Sequence, residues 1–231
     1  MVNLSTIAFD ADDTLWHNER FFKLTEERFA ELLREHTDAK GLPKRLYEAE
    51  KRNLGHYGFG VKGFVLSMIE TALDVTDHKV PGEVIRELID VGRDMLAHPI
   101  ELLPHAQETV EALAGRHRIL LITKGDLLHQ ERKLAQSGLG DFFDAVEIVS
   151  DKTPDVYARI FAGHDGGAEG AMMVGNSMKS DVRPAIEAGS HGVFVPHDLA
   201  WDFEHADAPE HPKYHEIADL GALPDLIKAI G

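Results

Sequence analysis

Three aspartates and a threonine follow a short apolar run near the start of the chain. The run Ser5–Phe9 leads directly into Asp10, Ala11, Asp12, Asp13 and Thr14. A carboxylate can attack phosphorus and form an acyl phosphate, which divides one difficult step into two. A second carboxylic acid can protonate the leaving oxygen and afterwards activate a water molecule. Aspartates are also common in turns, so this segment alone is weak evidence for phosphoryl transfer.

Polar residues also follow three later apolar runs. Thr123 and Lys124 end the second run, Lys152 comes after the third, and Asn176 and Asp181 follow the fourth. Lysine and hydroxyl groups can hold phosphoryl oxygens, where charge is spread in the transition state. Mg²⁺ prefers oxygen ligands and could bridge two anions that would otherwise repel each other. Each residue alone is explained by a turn or a helix cap, but together they predict a catalytic site.

Short apolar runs bounded by turn residues predict five buried parallel strands, because the runs are too short for helices. They are Ser5–Phe9, Arg118–Thr123, Ala145–Val149, Ala171–Val174 and Gly192–Val195. Helical patterns flank the last four, at Ala106–Leu113, Leu127–Ser137, Val156–Phe161 and Val182–Ala188. This alternation predicts an α/β fold with a doubly wound parallel sheet. Ligands bind such sheets beyond the carboxyl ends of the strands, where the residues above are expected to lie.

A long insert separates the first two predicted strands. It contains helical patterns and no convincing strand: Asn18–Glu35, Pro43–Leu54, Val61–Leu73 and Pro81–Leu96. Amphipathic helices of this kind can bury a small core of their own. We therefore expect a catalytic core formed by residues 1–15 and 100–231, with an inserted all-helical cap domain at residues 16–99 that acts as a lid. The glycine-rich segment Gly55–Gly63 is either an interhelix turn or a loop that touches substrate.

The composition excludes several classes of function. The chain has 231 residues, with 24 basic and 40 acidic side chains and a net charge of −16. A field of this sign repels nucleic acid and anionic membrane surfaces, so neither is an expected partner. The absence of cysteine excludes disulfides and thiolate chemistry. With no long apolar stretch and no pattern typical of a signal peptide, a cytoplasmic location is expected. The oligomeric state is not indicated.

Fourteen histidines raise the question of a further metal site. His197, His205, His211 and His215 lie in the C-terminal quarter of the chain. Their spacing matches neither HExxH nor a helical pair of histidines. Because a metal site needs convergent ligands, we expect these histidines to be scattered over the surface.

The ordered polar segments resemble the motifs of the haloacid dehalogenase-like (HAD) hydrolases, most of which are Mg²⁺-dependent phosphatases. FDADDTLW resembles the first motif of the family, and ILLITK resembles the second. Lys152 in SDKTPDVYARI resembles the lysine of the third motif, and VGNSMKSDVRPAIEAG resembles the fourth. The resemblance covers essentially the whole chain. The insert is similar to the helical cap of the phosphoglycolate phosphatase-like branch, on a Rossmann-like core.

This resemblance implies a role for each matching residue. Asp10 would be the nucleophile and Asp12 the general acid and base, while Thr14 would help to hold their loop. Thr123, Lys124 and Lys152 would bind the phosphoryl group, and Lys152 would help to keep Asp10 ionised. The ligands of Mg²⁺ would be the side chain of Asp10, the main-chain carbonyl of Asp12, and Asn176 or Asp181. The family usually has Asp where this chain has Asn176, so the choice between these last two ligands stays open.

The residues and the resemblance together predict a phosphatase that acts on a small phosphorylated metabolite, since a lid excludes bulky substrates. A 2-haloacid dehalogenase would use the same nucleophile without magnesium, but a departing halide needs no proton, so the presence of Asp12 favours the phosphatase. A phosphomutase is a further alternative within the family. A non-catalytic binding protein on the same fold is the alternative outside enzymes.

Overall fold

One wholly parallel sheet forms the centre of the fold. The computed structural model describes residues 4–38, 40–199 and 201–231, and six strands of these residues pair in the order β3-β2-β1-β4-β5-β6. The strands are β1 (Thr6–Phe9), β2 (Arg118–Lys124), β3 (Ala145–Val149), β4 (Ala171–Gly175), β5 (His191–Phe194) and β6 (Tyr214–Glu216). The predicted α/β class and parallel sheet are confirmed.

Nine α-helices occur within the described residues. They are α1 (Glu19–Leu33), α2 (Leu42–Tyr57), α3 (Val61–Val75), α4 (Gly82–Ala97), α5 (Ala106–Leu113), α6 (Leu127–Ser137), α7 (Pro154–Ala162), α8 (Arg183–Glu187) and α9 (Leu223–Ile230). A π-helical turn, Met178–Val182, leads into α8. None of the helices in the described part of the chain is long and apolar enough to cross a membrane.

Apolar side chains cover both faces of the sheet, because successive residues of a strand point in opposite directions. In β1, Ile7 and Phe9 belong to the core on one face and Ala8 belongs to the core on the other. Helices α5 and α9 supply the first core, and α7 and α8 contribute to the second. Both faces are thus sealed, and the polar side chains that follow the strands gather at the carboxyl edge of the sheet.

The chain divides into two compact units. The sheet unit contains the chain up to Glu19, Ile100–Lys124 and Gln130–Gly231. The helical unit contains Arg20–Pro99 and Gly125–His129. Buried side chains from α1 to α4 give the helical unit its own apolar core, which includes Phe29, Leu33, Leu46, Phe64, Met68 and Leu88.

The structure differs from the predicted elements mainly at short segments. The edge strand β6 and the C-terminal helix α9 were not predicted. Helix α7 begins at Pro154, earlier than expected, because the side chain of Thr153 accepts the backbone N–H of Val156 at 3.3 Å and caps the helix. The segment Gly55–Gly63 is mostly helical, since it contains the end of α2 and the start of α3. The turn between the two helices is residues 58–60.

Candidate active site

A buried lysine joins two of the predicted catalytic carboxylates. Asp10 follows β1, and its backbone N–H donates to the carbonyl of Val174 in β4 at 2.9 Å. The Lys152 ammonium, from the segment after β3, donates to Asp10 Oδ1 and to Asp181 Oδ1, the latter at 2.6 Å. All three side chains are buried. The carboxyl ends of three strands thus bring one cation and two anions together.

The local charges explain the protonation of this cluster. Burial raises the pKa of Asp10 to about 7; Lys152 opposes this increase and the nearby Asp181 adds to it. Burial lowers the pKa of Lys152, but Asp10 and Asp181 outweigh burial and raise it above its usual value. Lys152 therefore stays an ammonium group, and a further cation at Asp10 would favour the carboxylate form of this residue.

Thr14 connects Asp10 with Asn176. The Thr14 hydroxyl lies 3.3 Å from Asp10 Oδ2 and 3.2 Å from Asn176 Oδ1, and it accepts the backbone N–H of Asn176 at 3.0 Å. A hydroxyl has one proton, so it can satisfy only one of the two oxygens. Two oxygen acceptors that share one donor are a set that a hard divalent cation would complete. The residues present therefore fit Mg²⁺.

Asp181 already has a donor on each oxygen. Its Oδ1 accepts from Lys152, and its Oδ2 accepts the backbone N–H of Ser177 at 2.9 Å. A Cβ added to Gly175, at the end of β4, would lie 2.2 Å from Asp181 Oδ2, so only glycine fits at this position. Asn176 Oδ1 and Asp10 Oδ2 thus share the Thr14 hydroxyl, whereas Asp181 meets Asp10 through the ammonium group of Lys152.

Three side chains hold the carboxylate of Asp12. Trp16 Nε1 donates to Asp12 Oδ1 at 2.7 Å, and Lys133 Nζ lies 2.8 and 3.0 Å from the two carboxylate oxygens. Gln130 Nε2 lies 3.1 Å from Asp12 Oδ2. Burial raises the pKa of Asp12, but the charge of Lys133 and the three donors outweigh it, so the pKa is lowered. Asp12 is therefore an anion in this arrangement.

The two remaining predicted residues follow β2. Thr123 is buried, and its Oγ1 lies 2.7 Å from Gln130 Nε2, so Gln130 connects it with Asp12. Lys124 Nζ donates instead to Ser180 Oγ at 2.8 Å and to Glu204 Oε1 at 2.7 Å. The predicted site residues therefore form one cluster around Asp10 and a second around Asp12, and Lys124 belongs to a separate ion pair with Glu204.

Sequence reasoning did not identify Gln130 and Lys133 as site residues. They lie on α6 three positions apart and are 3% and 7% exposed, whereas Leu127 and Leu128 on the same helix are 60% and 58% exposed. This is the reverse of an ordinary amphipathic helix. The signal was available in part, because a glutamine and a lysine at this spacing share one face of the helix that follows the second motif.

Comparisons with known proteins relate the chain to one family of hydrolases. A model of the haloacid dehalogenase-like hydrolases matches residues 4–189. The glyceraldehyde 3-phosphate phosphatase of Methanothermobacter thermautotrophicus is 30% identical over 210 residues, which cover 85% of this chain and 87% of that protein. A haloacid dehalogenase-like family hydrolase from Xanthomonas campestris has a TM-score of 0.89 and 36% identity, over 99% of this chain and 92% of its own. The L-2-haloacid dehalogenase of Xanthobacter autotrophicus shares the fold, with a TM-score of 0.68 and 19% identity over 100% of both chains.

Proposed function

The chain belongs to the haloacid dehalogenase-like hydrolases, and from this premise we propose that it is a Mg²⁺-dependent phosphatase. Its substrate would be a small phosphomonoester, hydrolysed through an aspartyl phosphate on Asp10. The observation that carries the proposal is the pair of carboxylates after β1. Asp10 lies against the ammonium group of Lys152, and Asp12 is held by Trp16, Gln130 and Lys133.

In the first half-reaction, a carboxylate oxygen of Asp10 forms a bond to phosphorus as the bond between phosphorus and the leaving oxygen breaks. The leaving oxygen takes a proton from Asp12. Asp12 must be protonated for this step, and a bound phosphoryl group would raise its pKa because like charges oppose ionisation. Substrate binding would thus load Asp12 with the proton that the step consumes.

In the second half-reaction, Asp12 acts as the base. Its anionic form takes a proton from a water molecule, the water oxygen attacks phosphorus, and the bond between phosphorus and Asp10 breaks. The donors from Trp16, Gln130 and Lys133 stabilise this anionic form. The product is inorganic phosphate, and both carboxylates return to their starting state.

Lys152 and Thr123 would hold the phosphoryl oxygens through both steps. Asp10 Oδ2, Asn176 Oδ1 and the carbonyl of Asp12 would hold Mg²⁺, which supplies charge neutralisation between the phosphate and the nucleophile. We assign Asp181 to holding Lys152, because its contact with Asp10 runs through the ammonium group of that lysine. The Lys124 ammonium would stabilise the segment after β5 through Glu204.

We further propose that residues 16–99 serve as the cap that selects the leaving group. The curated relative is named for its action on glyceraldehyde 3-phosphate. This compound and other small sugar phosphates should therefore stand first in a substrate panel. A cytoplasmic location would suit such a substrate.

A 2-haloacid dehalogenase is the second candidate, because its chemistry needs no proton from Asp12, which is anionic here. The carboxylate accepts from three donors and is anionic, and a halide leaves without a proton. The same Asp10 would form a carbon–oxygen ester rather than an acyl phosphate. Release of chloride from 2-chloropropionate, with no requirement for magnesium, would identify this activity.

The test is phosphate release from p-nitrophenyl phosphate, measured with Mg²⁺ and with excess EDTA. Asp10→Asn should lose all turnover, and Asp155→Asn, an exposed aspartate on α7, should be unchanged. Hydrolysis in ¹⁸O-labelled water under single-turnover conditions should place the label in the released phosphate and leave Asp10 unlabelled, because water attacks phosphorus and the bridging oxygen stays on Asp10. Activity that persists in EDTA or in Asp10→Asn would contradict the proposal.

A further inference from the structure

Two side chains that follow β1 meet a third that follows β5. They are Asp13, His17 and His197, and each offers one ligand atom within 4.8 Å of the other two. All three belong to the sheet unit. Of the described residues, this is the one set of three or more Asp, Glu or His side chains with such convergent ligand atoms. It shares no member with the ligands proposed above for Mg²⁺.

The ring of His197 is oriented so that Nε2 faces the carboxylate. Its Nδ1 makes its shorter contact, 2.7 Å, with the carbonyl of Leu199, which can only accept a hydrogen bond. The backbone N–H of Leu199 lies farther from Nδ1, at 3.3 Å. A neutral ring with its proton on Nδ1 satisfies the carbonyl and has its lone pair on Nε2. Histidines that bind metals usually donate their other ring N–H in this way.

The carboxylate of Asp13 is also held in place. Its Oδ1 accepts the backbone N–H of Asn18 at 2.8 Å, and the backbone N–H of Glu19 lies 3.2 Å from Oδ1 and 2.9 Å from Oδ2. Two N–H donors thus hold a carboxylate that has four lone pairs, so the group keeps capacity for a further partner. His17 is fixed through its backbone N–H, which donates to the carbonyl of Glu101 at 3.0 Å.

The spacing of these atoms suits a metal ion better than a direct hydrogen bond. His197 Nε2 lies 3.7 Å from Asp13 Oδ1, which is too long for a hydrogen bond. Two ligands at Zn²⁺ distances of about 2.0–2.2 Å are roughly 3.4 Å apart in a tetrahedron. A carboxylate oxygen and an imidazole lone pair repel each other unless a cation lies between them.

We propose that Asp13, His17 and His197 form a second metal site, which binds a divalent transition-metal ion of the Zn²⁺ class. Two imidazoles and one carboxylate match such ions, whereas Mg²⁺ prefers oxygen ligands alone. Three protein ligands leave a coordination position for water. The prediction that the C-terminal histidines are scattered over the surface rested on their spacing from one another. The partners of His197 lie some 180 residues earlier in the chain, so no local motif could reveal the site.

Co²⁺ is the probe for this site, because its visible absorption reports nitrogen ligands and tetrahedral geometry. Metal-free protein in excess Mg²⁺, which fills the oxygen site, should bind one equivalent of Co²⁺ with strong d–d absorption, and Zn²⁺ should displace it. His17→Gln and His197→Gln should each lose this absorption, and Asp13→Asn should weaken binding. His205→Gln, an exposed histidine outside the cluster, should bind Co²⁺ as the parent chain does.

Because a variant could lose metal binding by failing to fold, a second measurement uses the unmodified chain. In a long-range ¹H–¹⁵N spectrum, Zn²⁺ should shift the Nε2 resonance of His197, while Nδ1 of the same ring keeps its proton. Absence of stoichiometric Co²⁺ binding in excess Mg²⁺ would overturn the proposal. Co²⁺ absorption that survives in both histidine variants would also overturn it. The same holds if Nε2 of His197 carries a proton and its resonance does not shift with Zn²⁺, because a protonated imidazole would then occupy the place of the metal.

Discussion

Lys133 is the charged residue among the three donors that hold Asp12. It is 7% exposed, and it also donates to Asn18 Oδ1 at 2.8 Å, so it joins the loop after β1 to helix α6. Removing it would leave a half-buried carboxylate without its cation, held by Trp16 and Gln130 alone among its three donors. We therefore assign Lys133 to positioning Asp12 for proton transfer, since proton transfer requires the acid within hydrogen-bond reach of the leaving oxygen.

We predict that Lys133→Met lowers kcat for an alkyl phosphate by about 10²–10³-fold, the size of a lost general acid. The loss should be smaller for p-nitrophenyl phosphate, whose leaving group needs little protonation. Arg132→Met, an exposed neighbour on α6, should match the parent chain for both substrates. Equal losses for alkyl and aryl substrates would show that Lys133 acts on folding or substrate binding and not through Asp12.

The metal ligands can be distinguished by their effect on the Mg²⁺ requirement. Asn176→Asp adds a charged ligand beside Asp10 and should lower the Mg²⁺ concentration for half-maximal activity by about tenfold, whereas Asn176→Ala should raise it similarly. Asp181→Asn should lower kcat by loosening Lys152, with a much smaller change in the Mg²⁺ requirement. Titration of activity with Mg²⁺ checks all three variants. A larger shift for Asp181→Asn than for Asn176→Ala would make Asp181 the ligand.

At the scale of elements, the close approach of α3 and α4 depends on one glycine. A Cβ added to Gly92 in α4 would lie 2.4 Å from Cγ2 of Val65 in α3. Valine has few rotamers in a helix, so it cannot move aside without cost. The absence of a side chain at Gly92 thus sets how tightly these two helices of the helical unit pack.

Gly92→Ala should therefore destabilise the helical unit by about 1–3 kcal/mol, as overpacking usually does. Gly82→Ala, at the start of the same helix with no atom near the added Cβ, should not destabilise it. Val65→Ala in the Gly92→Ala background should restore part of the loss, because the two sites are in contact. Urea unfolding followed by hydrogen exchange in α3 and α4 provides the measurement. Additive effects of the two substitutions would contradict this packing argument.

Elements were predictable from sequence wherever a local pattern is strong. Strands β1 to β5 have continuous apolar runs, and their bounds match the predictions to within a residue or two. Strand β6 has only three residues at the edge of the sheet, and its sequence YHE has no apolar run to reveal it. Asp10 and Lys152 follow from their places after strands. Lys133 depends on the rotation of α6, and His197 depends on a loop, so neither position could be read from spacing.

At the scale of the whole molecule, stability against pH combines opposing contributions from buried groups. Burial raises the pKa values of Asp10 to about 7 and of Asp13 to about 6, so the folded chain binds protons that the unfolded chain has released, and these groups favour folding as the pH falls. His191 in β5 acts in the other direction. Burial, with nearby His215, Lys213 and His211, lowers its pKa to about 4.

The surroundings of His191 explain why it resists protonation. Its ring stacks on His215 with centroids 5.2 Å apart, and its Nδ1 lies 3.0 Å from His215 Nε2. Its Nε2 is buried with no hydrogen-bond partner among the described residues. Since the unfolded pKa is about 6.5, the unfolded chain binds a proton at this position throughout the range from 6.5 to 4, and the folded chain does not. The contribution of neutral His191 is complete above pH 6.5 and is lost as the pH falls toward 4.

His191→Phe removes this titration and keeps a ring to stack on His215. We predict that its unfolding free energy falls less than that of the parent chain as the pH drops from 6.5 to 4, with a difference of about 2 kcal/mol across the range. Because the aspartates titrate alike in both proteins, subtracting the two curves isolates His191. Urea unfolding at closely spaced pH values gives these curves, with His205→Gln as the control for an exposed histidine. Parallel curves would mean that His191 protonates as easily in the folded chain as in the unfolded one.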